Sequence, residues 1–97
     1  MKNISVFSKS LFEAVAHYHA IDIKLSRQFV QAVDEAKQMI ARFPKIGKLA
    51  RGYRYLLLNN FPYRLCYRED LDGEIVLITL FHFKQLEPRV LRRGWSD

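Results

Sequence analysis

Phe61-Pro62-Tyr63-Arg64-Leu65-Cys66-Tyr67-Arg68 is the stretch from which the fold is read. Successive strand side chains point to opposite faces, so Tyr63, Leu65 and Tyr67 share one face and Arg64, Cys66 and Arg68 the other. The stretch reads as a β-strand with an apolar and a basic face. Leu71-Asp72-Gly73 follows it, and Asp-Gly between two apolar runs signals a hairpin. The returning run, Glu74 to Phe83, is apolar on both faces, with Ile75, Leu77, Phe81 and Phe83 on one and Val76, Ile78 and Leu80 on the other. A strand this apolar must be covered on both sides, which places it inside a sheet.

Working back toward the N-terminus, Tyr53 to Leu58 reads as another strand, joined to the first by Asn59-Asn60, residues that tolerate the left-handed region. Leu25, Phe29, Ala32, Val33, Ala36, Ile40 and Phe43 form one helical stripe, stopped by Pro44 and Gly47. Asp22 is placed to cap that helix. Leu11, Phe12, Val15, Ala16, Tyr18 and His19 recur at helical spacing before it, with Ser10 and Glu13 fitting a capping box. Ile4 to Phe7 reads as a short opening strand. The expected order is β-α-α-β-β-β, an α+β fold in which a helix hairpin packs on an antiparallel sheet, as a single domain over residues 1–97.

Composition narrows the function classes. Nearly half of the 97 residues are hydrophobic and 13% are aromatic, enough for a small core, so a disordered chain is excluded. The single cysteine, Cys66, excludes an internal disulfide and a cysteine zinc site, and it fits a buried, inert role. His17 and His19 do not share a helix face, so no metal or cofactor is expected. No apolar run approaches the roughly 20 residues of a membrane span, and no signal segment is visible. A cytoplasmic protein is expected.

The net charge is +6, and no acidic residue lies between Glu35 and Glu69. That window holds Lys37, Arg42, Lys45, Lys48, Arg51, Arg54, Arg64 and Arg68. Such a field attracts a polyanion or an acidic partner protein. A second basic cluster, Arg89, Arg92 and Arg93 with Leu91 and Trp95, has the composition of a recognition surface.

Taken together these pieces resemble the RelE/ParE superfamily of bacterial type II toxins. The matching residues are Ser8, the helix hairpin, Phe43-Pro44 with Gly47, Tyr53-Arg54, the Phe61-to-Tyr67 strand, His82, and Pro88 before Arg92-Arg93. Lys84-Gln85 stands where the family often has an arginine. The resemblance implies a toxin neutralised by a cognate antitoxin. It offers two targets: DNA gyrase, inhibited by binding, or the ribosome and its mRNA, cut by an mRNA interferase. In the second reading Arg64 clamps phosphate and His82 exchanges a proton, provided both face one surface. In the first, Lys48, Arg51, Arg54, Arg64, Arg68, Arg89, Arg92, Arg93 and Trp95 are the target- or antitoxin-binding set. Residues 36–68 contain no carboxylate to act as a base and no tyrosine lies beyond Tyr67, so the resemblance inclines to the ParE-like, gyrase-binding type.

Overall fold

The computed structural model of the chain describes residues 1–93, and of Arg92 and Arg93 only the backbone. Its elements run β1 (Lys2–Asn3), α1 (Ser5–Ile21), α2 (Ile23–Arg42), β2 (Lys48–Leu49), β3 (Arg54–Leu57), β4 (Tyr63–Glu69), β5 (Ile75–His82) and α3 (Arg89–Arg93). The strands form one sheet in the order β1-β5-β4-β3-β2. The fold is α+β, two helices on a five-stranded sheet, with a mixed rather than a wholly antiparallel sheet, because β1 runs parallel to β5.

The expected opening strand over Ile4–Phe7 is instead the entry to α1. Phe7 is buried and continues through Leu11 and Ala14 at helical spacing, while Ile4, the residue before the helix, is buried in a separate cluster on the other face of the sheet. No side chain caps α1, so the Ser10–Glu13 capping box does not form. Ser10 sits inside the helix, where its Oγ donates to the Phe7 carbonyl (2.8 Å) and accepts from the Leu80 N–H (3.0 Å). It thereby ties α1 to a stretch of β5 that β1 does not reach. Phe12, expected on the buried stripe, is 72% exposed, and Ala14 takes the inward position. The α2 stripe is buried from Phe29 through Ile40, while Phe43 lies exposed beyond the helix end. Asp22 alone separates the helices, and its carboxylate accepts from the Lys24 N–H (2.9 Å) as an N-cap.

Phe61-Pro62-Tyr63 packs the start of β4 beneath this hairpin. Rings of Tyr18, Phe29 and Phe61 sit with centroids 5.1 Å apart, and Tyr63 lies 5.1 Å from Phe29. At the other end of the strand the Tyr67 hydroxyl donates to Pro44 O (2.8 Å) and accepts from Gly47 N–H (2.9 Å). A Cβ on Gly47 would come within 2.7 Å of that hydroxyl and 2.9 Å of the Tyr55 carbonyl, so only glycine lets the loop after α2 close on the sheet. The turns behave as read: Asn60 (φ 66°) and Gly73 (φ 85°) both occupy the left-handed region.

Two cores result. The larger lies between α1, α2 and the sheet and holds Phe7, Phe29, Ile40, Leu65, Tyr67 and Leu77. The smaller lies on the opposite face, where Ile4, Tyr53, Cys66, Val76, Ile78 and Phe81 are covered in part by α3 through Leu91. A β-bulge in β5 decides which residues serve which core. Cys66 pairs with Thr79, but Tyr67 pairs with Leu77, so one extra residue enters β5. Beyond it the faces exchange: Leu80 turns to the helices and Phe81 to the opposite side, reversing the alternation expected from sequence.

Candidate functional site

The outer face of the sheet is half covered. α3 closes it over Cys66, and the part carrying Arg64 stays open. Register explains the grouping there: Leu57 pairs with Arg64, Arg64 with Phe81, and Lys48 with Tyr55. Lys48, Tyr55, Leu57 and Arg64 line a cavity of about 510 Å³ together with Ile46, Leu56 and Phe83, and Phe81 lies buried behind Arg64.

Arg64 sits among three aromatic rings, with its guanidinium carbon 4.9 Å from the centroid of Tyr55, 5.5 Å from Phe83 and 5.6 Å from Phe81. The π faces attract the cation without neutralising it. Its Nε is buried and has no hydrogen-bond partner among the described residues. A guanidinium held in this way is pre-ordered, and its remaining N–H groups suit a carboxylate or phosphate.

Apart from Lys48, the other cations of the basic window do not line this cavity. Arg54 pairs with Tyr67, faces the helices, and donates to the carbonyls of Gly47 (3.0 Å) and Lys45 (3.4 Å). Arg68 lies at the far end of β4 and is paired with Asp70. Arg51 is exposed and meets Glu87 at 3.6 Å. Lys37 lies over the Phe7 ring and Arg42 over Phe43. Arg89 is exposed at the start of α3. The side chains of Arg92 and Arg93, and Trp95, lie outside the described residues. Leu91, grouped with them in the sequence, is 4% exposed and packs on the smaller core. It holds α3 to the sheet and offers nothing to a target.

The expectation that Arg64 and His82 share a surface fails. Tyr63 pairs with His82, and Tyr63 belongs to the helix side. The extra residue in β5 has moved the imidazole through the sheet to the face opposite Arg64. There His82 stands edge-on to Tyr63 at 5.2 Å, and its Nδ1 accepts from the Lys84 N–H (3.0 Å). It lines a separate cleft of about 420 Å³ with Ser10, Glu13, His17 and Lys84. No group of three or more metal-ligating side chains occurs among the described residues.

Cys66, between Arg64 and Arg68, is fully buried. Burial pushes its thiol up to about 12, against the smaller opposing pull of Arg64. A thiol so placed is a packing group and no nucleophile. Sequence reading missed Tyr55, Leu57, Phe81 and Phe83 as neighbours of Arg64. Counting outward from Asn59-Asn60 pairs Leu57 with Pro62; the ladder instead centres between Asn60 and Phe61, which brings Leu57 to Arg64, and the bulge hides Phe81 from any count.

The sequence model of the ParE toxin of type II toxin-antitoxin system, parDE, matches residues 7–87. Among solved structures, a chain of the chromosomal ParDE TA system from P. aeruginosa superposes with a TM-score of 0.71 at 19% identity. The superposition covers 84% of this chain and 91% of that one. No curated protein matches the sequence.

Proposed function

Since the chain belongs to the ParE family of toxins of type II toxin-antitoxin systems, we propose that it inhibits DNA gyrase by binding, in the cytoplasm, as one domain over residues 1–97. As a toxin of such a system it has a cognate antitoxin for a partner. No helix among the described residues is long and apolar enough to cross a membrane.

What supports binding over cleavage is the separation of Arg64 and His82 by the thickness of the sheet. Metal-free RNA cleavage needs an acid and a base within hydrogen-bond reach of the phosphate that a cation holds. The Arg64 cavity is lined by Lys48 and Tyr55, and among the described residues no carboxylate or imidazole lines it. What it does supply is a fixed cation in an aromatic frame, the composition of a recognition site. Lys48 and Arg64 form the centre of the target- or antitoxin-binding surface in this reading. Arg51 and Arg89, exposed elsewhere, add to the positive field around it, whereas Arg54 and Arg68 are engaged by loop carbonyls and by Asp70.

The test is a supercoiling assay with purified gyrase beside an in vitro translation assay. The wild-type chain is expected to block supercoiling and leave ribosome-bound mRNA intact. His82→Gln is expected to retain that inhibition, and Arg64→Ala to weaken it at least about tenfold, as for loss of a charged hydrogen bond. A wild-type chain that leaves gyrase working and cuts mRNA on ribosomes would replace this reading with that of a ribosome-dependent mRNA interferase.

A further inference from the structure

β3 is paired along only half of its outer edge. β2 covers Arg54 and Tyr55, and the ladder then stops. Leu58 N–H donates to Tyr63 O (3.0 Å), and bonded positions alternate along an antiparallel ladder. The backbone groups of Leu56 therefore point at β4, and the N–H and C=O of Leu57 point to the open edge. The Leu57 side chain is 52% exposed.

A cavity flanks this edge on each face of the sheet. On the outer face lies that of Arg64 and Lys48. On the helix face lies one of about 250 Å³, lined by Ala36, Met39, Ile46 and Leu56 among others. Ile46, Leu56 and Leu57 border both. A helix laid along the edge presents one stripe and fills one cavity. A strand paired to Leu57 sends successive side chains to opposite faces, one to each cavity.

We propose that the antitoxin neutralises this toxin by adding an extended segment to the β3 edge at Leu57. An acidic side chain opposite Leu57 reaches Arg64, and the adjacent apolar residue enters the Met39–Ile46 cavity. The proposal rests on the toxin-antitoxin reading. It commits to an acidic side chain on the outer face because Lys48 and Arg64 line the cavity there and no carboxylate among the described residues does, whereas Glu35 lines the helix-face cavity that takes the apolar residue.

The experiment compares the toxin alone with its complex with the antitoxin encoded by the adjacent gene. Amide exchange at Leu57 is expected to slow at least about 100-fold in the complex, while Leu56, already bonded to β4, changes little. Leu57→Pro removes the outward N–H and leaves the β4 ladder intact. It is expected to weaken antitoxin binding about 10–100-fold with an unchanged melting temperature, as for one or two backbone hydrogen bonds. Fast exchange at Leu57 in a complex of full strength would overturn the proposal and leave the toxin-antitoxin reading standing. Slowing in the toxin alone as its concentration rises would overturn it in favour of a second copy at the edge. An adjacent gene product that never binds the wild-type chain would sink the underlying reading instead. If Leu57→Pro does not fold, exchange in the wild-type complex decides.

Discussion

Tyr63, Leu65 and Tyr67 stand on the helix-covered face of β4. Arg64, Cys66 and Arg68, one residue out of step, stand on the other. The first set is held by burial and by a hydroxyl shared between Pro44 and Gly47. In the second set each residue is held differently: Arg64 by aromatic rings, Cys66 by the cover of α3, and Arg68 by Asp70. The difference teaches how one strand can build a core with one face and hold a cation in place with the other. A buried residue is fixed by what it excludes from water. Arg64 is fixed by ring faces, which restrain a cation and leave it charged toward a ligand.

The sharpest way to break this comparison is to truncate neighbours. Leu65→Ala is expected to lower the unfolding free energy by about 2–5 kcal/mol in urea, since it opens a cavity in the larger core. Arg64→Ala, adjacent in sequence, should lower it by about 0.5–1 kcal/mol, the worth of a partly exposed cation–π contact. Similar losses from both would mean that the two faces are equally structural.

Tyr67→Phe keeps the ring and removes one hydroxyl. Gly47 N–H and Pro44 O then lose their shared partner, and a cost of about 1–3 kcal/mol is expected by thermal melting. A neutral result would assign Tyr67 to packing alone.

Cys66 distinguishes the covered part of the outer face from the open part. Its folded-state pKa is raised, so the unfolded chain releases the thiol proton first. The stabilisation is full below the ordinary value of 9.0 and is lost as pH climbs toward about 12. Tyr53, Tyr63 and Tyr67 are raised by burial as well, but from a starting point of 10.0. Between pH 9 and 10 the stability curve should therefore fall less steeply in Cys66→Ala, by about 1 kcal/mol per unit at most. An unchanged curve would mean that α3 does not seal the thiol.

The smallest effect is expected at the seam of α3. Tyr53 donates its hydroxyl to Glu87 at 2.7 Å, and Arg51 pairs with the same carboxylate. Glu87→Gln retains an acceptor, so the loss should stay under about 1 kcal/mol, read as a small drop in melting temperature. A large drop would make this polar seam, rather than Leu91, the anchor of α3.

Much of this architecture was legible in the sequence. The alternation of β4, the α2 stripe, Asp22 as cap and both hairpin turns follow from periodicity and from residues suited to their backbone angles. Ile4–Phe7 misled because β-branched and aromatic residues also fit the first turn of a helix whose buried face continues to Ala14. The site was half legible. Arg64 stands out by type and place, but its aromatic frame comes from β3 and from the end of β5. The position of His82 depends on a bulge inside a run apolar on both faces, where no polar residue marks the change of phase.

That bulge gives β5 a reading frame. Upstream of Ile78 the strand is in one phase with β4, and downstream of Thr79 it is in the other. Deleting a single residue there would restore strict alternation and exchange the positions of Leu80, Phe81 and His82 with respect to the sheet. The imidazole would then arrive on the Arg64 face, at the cost of an apolar side chain expelled from the helix core. Substitutions elsewhere leave this phase untouched. The distance between a face carrying cations alone and one carrying both a cation and an imidazole is thus a deletion of one residue, set by the parity of a strand.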